Sequence, residues 1–193
     1  MAKLYFRYSA MNAGKTTQLI QVKHNYEERG QNVLVLKPSV DKRDGVAKIK
    51  SRIGIECLAL ILDEKANIFN AVKNSNEQKK VDCVLVDEAQ FLSKEQVLQL
   101  CDVVDNLNIP CMAYGLRSDF KGNLFPGSEI LLALADTIEE LKTICWCGKK
   151  ALMNTRLLNG KAVYEGEQIQ IGGNESYISL CRKHWREGKV STS

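Results

Sequence analysis

Short apolar runs alternate with amphipathic stretches through the first 144 residues of the chain. Leu4 to Tyr8 reads as a strand, and Thr16 to Arg29 carries Leu19, Ile20, Val22 and Tyr26 at helical spacing with Gly30 as its stop. Val33 to Leu36 predicts a second buried strand ended by Pro38, and the charged stretch Asp41 to Arg52 predicts a solvated loop. A short strand around Glu56 to Leu60 and a helix containing Ile68, Phe69 and Val72 follow. The continuous run Cys83-Val84-Leu85-Val86 fits a strand covered on both faces. After it, Ser93 and Gln96 form a capping box for a helix over Lys94 to Leu107. Ile109 to Tyr114 predicts another strand, Gly115 to Gly127 a loop, Ser128 to Leu134 a helix and Leu141 to Ile144 a last strand. This alternation argues for an α/β fold with a mostly parallel, doubly wound sheet.

The rhythm is lost after residue 144, and the chemistry changes with it. Cys145-Trp146-Cys147 and Cys181-Arg182-Lys183-His184 flank a segment in which Asn159-Gly160 separates Leu157-Leu158 from Ala162-Val163, a hairpin signal. Two chelating pairs held apart by a hairpin predict a small zinc ribbon, with Cys145, Cys147, Cys181 and His184 as a Cys₃His set for structural Zn²⁺. Such a site orders a segment too small to bury its own core. The chain thus divides into residues 1–142, an α/β unit, and 143–193, a zinc-binding unit.

Seven cysteines, an odd count, argue against a disulfide framework; Cys83, Cys101 and Cys111 lie in apolar runs as small buried hydrophobes. Lys3 and Arg7 interrupt the N-terminal segment, and no run approaches 18 apolar residues, so the sequence predicts a cytoplasmic protein with neither signal peptide nor membrane helix. A net charge of +4 suits an enzyme handling phosphates and does not argue for nucleic acid.

The first strand runs into Ser9-Ala10-Met11-Asn12-Ala13-Gly14-Lys15-Thr16, which meets the phosphate-loop pattern except that Ser9 stands at the first glycine. In that pattern backbone N–H groups surround a phosphate, the lysine neutralises the phosphate chain and the final hydroxyl ligates Mg²⁺, which makes a polyphosphate with Mg²⁺ the expected ligand. The buried strand at 83–86 ends in Asp87 and Glu88, with Asp87 in the position of a metal-holding acid and Glu88 at the carboxyl edge of the sheet. Arg43 and Arg52, in the basic loop after the second strand, are candidates to reach back over the nucleotide. ATPases, GTPases and kinases share these parts. An N-K-x-D guanine element is absent, and Glu88 is well placed to accept a hydroxyl proton, so small-molecule phosphoryl transfer is favoured. The competing reading is a P-loop ATPase whose zinc ribbon binds nucleic acid, with Lys149, Lys150, Arg156, Arg182, Lys183 and Arg186 as its charges, although a solvated face accounts for them better. A purely structural role leaves Lys15, Asp87 and Glu88 unexplained.

At this point the sequence resembles the type II thymidine kinases, specifically their bacterial branch. The resemblance is carried by LYFRYSAMNAGKTTQL at the start, SRIG at 51–54, CVLVDEAQFL at 83–92, YGLRSDFKGNLFPGS at 114–128, the Cys145/Cys147 pair and IGGNESYISLCRKH at 171–184. It implies a RecA-like P-loop fold with a C-terminal zinc and lasso domain covering the nucleoside. It implies transfer of the ATP γ-phosphate to the 5′-hydroxyl of thymidine, and of deoxyuridine, for the salvage of DNA precursors. ATP and Mg²⁺ would lie on Ser9 to Thr16 and on Asp87, Glu88, Ala89 and Gln90, with Lys15 on the β- and γ-phosphates. Glu88 would be the general base, and Arg43 would stabilise the phosphoryl group in transfer. The thymidine pocket would be formed by Met11, Phe91, Leu116, Phe120 and Tyr177, with backbone groups of Gln168, Ile169, Gln170, Ile171, Gly172 and Gly173 reading the base. The resemblance also implies a homotetramer and feedback inhibition by dTTP, with no nucleic-acid or membrane partner.

Overall fold

Parallel pairing of the early apolar runs builds the sheet on which everything else rests. The computed structural model describes residues 1–39, 48–168 and 177–191. In chain order its elements are β1 (Leu4–Ser9), α1 (Lys15–Glu27), β2 (Val33–Pro38), β3 (Lys48–Lys50), β4 (Glu56–Leu58), β5 (Leu60–Leu62), α2 (Ile68–Gln78), β6 (Cys83–Val86), a 3₁₀ turn at Ala89–Phe91 and α3 (Lys94–Leu107). The chain continues through β7 (Cys111–Leu116), α4 (Pro126–Leu134), β8 (Thr137–Glu140), β9 (Thr143–Ile144), β10 (Lys150–Ala151), β11 (Met153–Leu158), β12 (Lys161–Val163), β13 (Tyr177–Leu180) and α5 (Arg182–Glu187).

Six strands form the main sheet in the order β5-β2-β6-β7-β1-β8, and every neighbouring pair is parallel. Because side chains alternate across a strand, each strand supplies both faces. Val33 and Val35 of β2, Cys83 and Leu85 of β6, and Tyr114 of β7 share one cluster with Leu19 of α1. Leu36, Val84, Val86, Cys111 and Ala113 turn the other way, onto Ile68 and Val72 of α2, Val97 and Leu100 of α3, and Leu131 of α4. Helices therefore cover both faces, as the doubly wound reading requires, and all four residues of β6 are fully buried. The Ser93–Gln96 capping box forms in both directions and starts α3 at the expected residue. No described helix is long and apolar enough to cross a membrane.

The strand order positions the site. From β1 the chain moves three places along the sheet to β2, whereas β8 is laid on the opposite side of β1. The order thus reverses around β1, and the carboxyl ends of β1 and β6, separated only by β7, open onto the crevice that such a switch point creates.

Five expected boundaries change. Lys48–Lys50, read as loop, pairs antiparallel with β4, where Ile49 is buried between two exposed lysines. The single strand expected near 56–60 is two strands in different sheets, β4 and β5. The expected loop from Gly115 is strand through Leu116, and Pro126 occupies the first turn of α4, two residues before the predicted start. Of the strand expected at Leu141–Ile144 only Thr143–Ile144 forms, as β9 outside the main sheet, whose last strand is instead β8 at Thr137–Glu140, with β1 as its neighbour.

Beyond β8 a two-stranded ladder of β9 and β10 and a three-stranded sheet β12-β11-β13 make up the C-terminal unit. Asn159 and Gly160 both have positive φ and join β11 to β12, as the type I′ signal predicts. A small core of Cys145, Ala151, Leu180 and Cys181 lies beneath Trp146, Ile178 and Trp185.

Candidate active site

β1 delivers the chain into the Ser9–Thr16 loop, and α1 begins at Lys15. Asn12 and Gly14 are left-handed, at φ 64° and 78°, and they turn the backbone into the helix. Ser9 is not left-handed, so this position does not require glycine, and its hydroxyl is used. Lys15 Nζ donates to Ser9 Oγ at 2.9 Å and to the Ala10 carbonyl at 3.3 Å, which folds the ammonium back beneath its own loop. Burial lowers the Lys15 pKa, the Glu88 and Asp87 carboxylates act against that shift, and Arg52 adds to it.

Across β7, Asp87 continues β6 and lies 3% exposed. Thr16 Oγ1 donates to its Oδ2 at 3.2 Å. Burial, reinforced by the neighbouring Glu88 charge, pushes the Asp87 carboxyl up to about 7 against the pull of Lys15. Two cis ligands of an octahedral cation held at about 2.1 Å stand about 3 Å apart, so this oxygen pair fits Mg²⁺. Glu88 has φ 52°, an uncommon conformation for a non-glycine residue that orients it at the strand end. Gln90 supports it: Nε2 donates to Glu88 Oε2, while Oε1 accepts from the Leu116 N–H at 3.0 Å. Gly115 leaves room for that amide, because a Cβ there would stand 2.9 Å from Gln90 Oε1.

These groups open onto a cavity of about 530 Å³. Its lining includes Met11, Asn12, Ala13, Gly14, Lys15 and Thr16, then Asp87, Glu88 and Gln90, and on the far side Phe91, Leu116, Phe120, Gln168 and Tyr177. All of these were read from the sequence as site residues, and Arg52 joins them. Ser9, Ala10 and Ala89 are buried and do not line it. Arg43 and the stretch Ile169, Gln170, Ile171, Gly172 and Gly173 fall outside the described residues. Lys37, Lys50, Ser51, Asp119, Phe125 and Asn154 also line the cavity and were not anticipated. Ser51 is 5% exposed, and its Oγ has no hydrogen-bond partner among the described residues, the state of a hydroxyl that a ligand would satisfy.

The far wall is braced from the C-terminal unit. Arg156 is buried, its guanidinium 3.8 Å from the centre of the Phe120 ring, and its Nε donates to Tyr177 Oη at 2.7 Å. This corrects the reading of Arg156 as part of a solvated basic face; of the same set, Lys150 pairs with Glu140 and Lys183 with Glu187. Asp119 Oδ1 accepts from the Lys121 and Asn123 N–H groups, and its Oδ2 accepts from Gln168 Nε2 at 3.0 Å. Trp185 of α5 donates to the Phe120 carbonyl at 3.0 Å.

Behind that wall Cys145, Cys147, Cys181 and His184 bring their ligand atoms within 4.8 Å of one another, and Cys145 Sγ stands 3.4 Å from His184 Nδ1. Tetrahedral zinc with thiolate ligands at about 2.3 Å has sulfur–sulfur edges of about 3.8 Å, so spread and chemistry both fit a metal. The His184 ring is held by stacking on Trp146, with centroids 4.1 Å apart.

A family model described as thymidine kinase matches residues 2–185. A thymidine kinase of Rhodopirellula baltica is 56% identical over 188 residues, covering 97% of this chain and 89% of that one. A Haemophilus influenzae thymidine kinase is also 56% identical, covering 97% of both chains, and one from Francisella tularensis subsp. holarctica is 53% identical over 97% of this chain and 98% of its own. A phosphate loop facing two carboxylates across one cavity thus occurs in a chain that matches these enzymes over 97% of its length: it belongs to the thymidine kinase family.

Proposed function

We propose that this protein transfers the γ-phosphate of ATP to the 5′-hydroxyl of thymidine, giving dTMP and ADP, with deoxyuridine as a second acceptor. One observation carries the reading. A single cavity is lined on one side by the phosphate loop with Asp87 and Glu88, and on the other by Phe91, Phe120 and Tyr177, in a chain of the thymidine kinase family. The donor side takes a polyphosphate; the apolar and aromatic side suits a pyrimidine ring.

In this reading residues 1–142 hold ATP and residues 143–193 cover the nucleoside. Lys15 leaves Ser9 Oγ for the β- and γ-phosphates, and its lowered pKa reflects a burial that bound phosphate would offset. Thr16 would hold Mg²⁺, assisted by Asp87 directly or through water. When bound, that ion neutralises charge on the phosphate chain. Glu88 accepts the proton of the 5′-hydroxyl as its oxygen attacks the γ-phosphorus, and the bond to the ADP oxygen breaks with its electron pair retained by ADP. Gln90 holds Glu88 to β7 through the Leu116 N–H, so the base is aimed before substrate arrives. Arg43 is assigned the stabilisation of the phosphoryl group in transfer. The Cys145, Cys147, Cys181 and His184 cluster would hold structural Zn²⁺ and brace β13 and α5, and through them Tyr177 and Phe120.

Incubation of the purified protein with ATP, Mg²⁺ and a panel of deoxynucleosides tests the reading. Thymidine and deoxyuridine are expected to give 5′-monophosphates and purine deoxynucleosides are not; ATP hydrolysis without any monophosphate would overturn it. A homotetramer and inhibition by dTTP belong to the same proposal, checked by sedimentation and by turnover at rising dTTP.

A further inference from the structure

Met11 lies midway along the phosphate loop, and both of its peptide groups are held by side chains from the far end of the chain. Its N–H donates to Asn154 Oδ1 at 2.7 Å, and Ser179 Oγ donates to its carbonyl at 2.5 Å. Asn154 on β11 and Ser179 on β13 are register partners, so one cross-strand pair grips one loop residue from both sides. Asn154 Nδ2 in turn donates to the Ser118 carbonyl at 2.7 Å, just past β7 on the segment that leads to Asp119 and Phe120. A single buried amide, 3% exposed, therefore joins the phosphate loop, that segment and the C-terminal sheet.

The gripped residue is one where position matters. Met11 itself lines the cavity, and the non-glycine residue Asn12 that follows it is left-handed, a conformation that its surroundings must hold. Lys15 fixes the loop from within, through Ser9 Oγ and the Ala10 carbonyl. Asn154 and Ser179 fix it from outside, and Ser179 does so from β13, the strand whose first residue, Tyr177, lines the opposite wall. A displacement of β13 is passed to the donor loop directly by the Ser179 hydrogen bond and, through the pairing of β13 with β11, by the Asn154 one. None of this is needed to hold the main sheet together, because β11 and β13 pair only within their own small sheet.

We propose that Asn154 and Ser179 are positioning residues for phosphoryl transfer. By clamping the Met11 peptide they set the phosphate loop against the acceptor wall, so that binding on one side of the cavity finds the other side already in register. The inference rests on the thymidine kinase reading of the cavity.

The test compares wild type with Asn154→Leu, Ser179→Ala, Ser179→Thr and the Asn154→Leu/Ser179→Ala pair. Steady-state kinetics, zinc content, and hydrogen exchange of the amides at residues 9–17 are measured for each. Asn154→Leu is expected to lower kcat about 10- to 100-fold, the size of effect that a displacement near 1 Å produces. Ser179→Ala is expected to lower kcat by about fivefold to tenfold, with Ser179→Thr recovering most of the loss because the hydroxyl is kept. Loop amides should exchange faster in the Leu and Ala variants, and the double variant should lose less than the product of the singles, since both contacts act on one residue. Zinc content is expected to stay at the wild-type level throughout. Normal kcat in zinc-loaded Asn154→Leu, unchanged loop exchange, or a Thr variant as impaired as the Ala variant each overturns the clamp. Wild type that leaves thymidine unphosphorylated strikes the functional reading instead, and the exchange comparison still decides the clamp.

Discussion

Gly127, in the first turn of α4, faces the 3₁₀ turn that follows Glu88. A Cβ at this position would lie 2.5 Å from the Ala89 carbonyl oxygen, 2.8 Å from that of Leu92 and 3.0 Å from that of Gln90. Favourable contacts of a carbon atom begin near 3.5 Å, so the closest of these is about 1 Å too short. All three are backbone atoms, and none can rotate away. Gly127→Ala must therefore push α4 and the turn apart by roughly that amount, which in a packed core costs about 1–3 kcal/mol. For a chain of this size that is about 2–4 °C of melting temperature per kcal/mol. The moved turn carries Gln90, which holds Glu88, so kcat should fall by at least about tenfold as well. Gly30→Ala is the comparison: φ is +74° with nothing within 4 Å, so it should cost about 1 kcal/mol of stability and leave turnover alone. Calorimetric melting and steady-state turnover on both variants check this. A Gly127→Ala protein that melts within 1 °C of wild type with normal kcat would refute the argument that this close approach positions the catalytic turn.

Metal removal should act on turnover through the far wall. Cys181→Ser, or treatment with a zinc chelator, is expected to take bound zinc from about one per chain to near none, loosen β13 and α5, and cut thymidine turnover by about tenfold or more; full activity in protein shown by atomic absorption to lack zinc would contradict this. Asp87 predicts a pH dependence of stability. Its carboxyl is pushed above its unfolded value near 4, so its contribution is fully present below about pH 4 and lost as pH rises through about 7. Asp87→Asn should therefore gain melting temperature over wild type progressively between pH 5 and pH 8 in the absence of ligands, while losing turnover; a variant less stable than wild type at pH 8 would show that the burial argument is wrong.

What was legible in the sequence had local causes. The Ser9–Thr16 loop, the fully apolar β6 with Asp87 and Glu88 at its end, the Ser93–Gln96 box and the Asn159-Gly160 turn each carry their signal within a few residues, and each folds as expected. β8 was missed because Thr137–Glu140 is a polar edge strand with a neighbour on one side only, whereas the apolar Leu141 and Ile144 beside it mimic a buried strand. β3 is too short to show alternation beyond Ile49 between two lysines. Arg156 looks like any surface arginine until Phe120 and Tyr177, 36 and 21 positions away, are brought around it. The Asn154 and Ser179 contacts span 143 and 168 residues, and no periodicity or spacing encodes them. Ser9 shows the opposite case: it departs from the motif, yet its hydroxyl and its ordinary backbone angles make it the resting partner of Lys15.

The central claim is that this cavity transfers phosphate to a nucleoside hydroxyl with Glu88 taking the proton. Glu88→Gln keeps the size of the side chain and an oxygen for the Gln90 amide, and removes only the base. The decisive measurement is kcat for dTMP formation in this variant beside its affinity for ATP. The account predicts a fall in kcat of about 10²–10⁴-fold with ATP affinity within a few-fold of wild type. Turnover near the wild-type rate would contradict it.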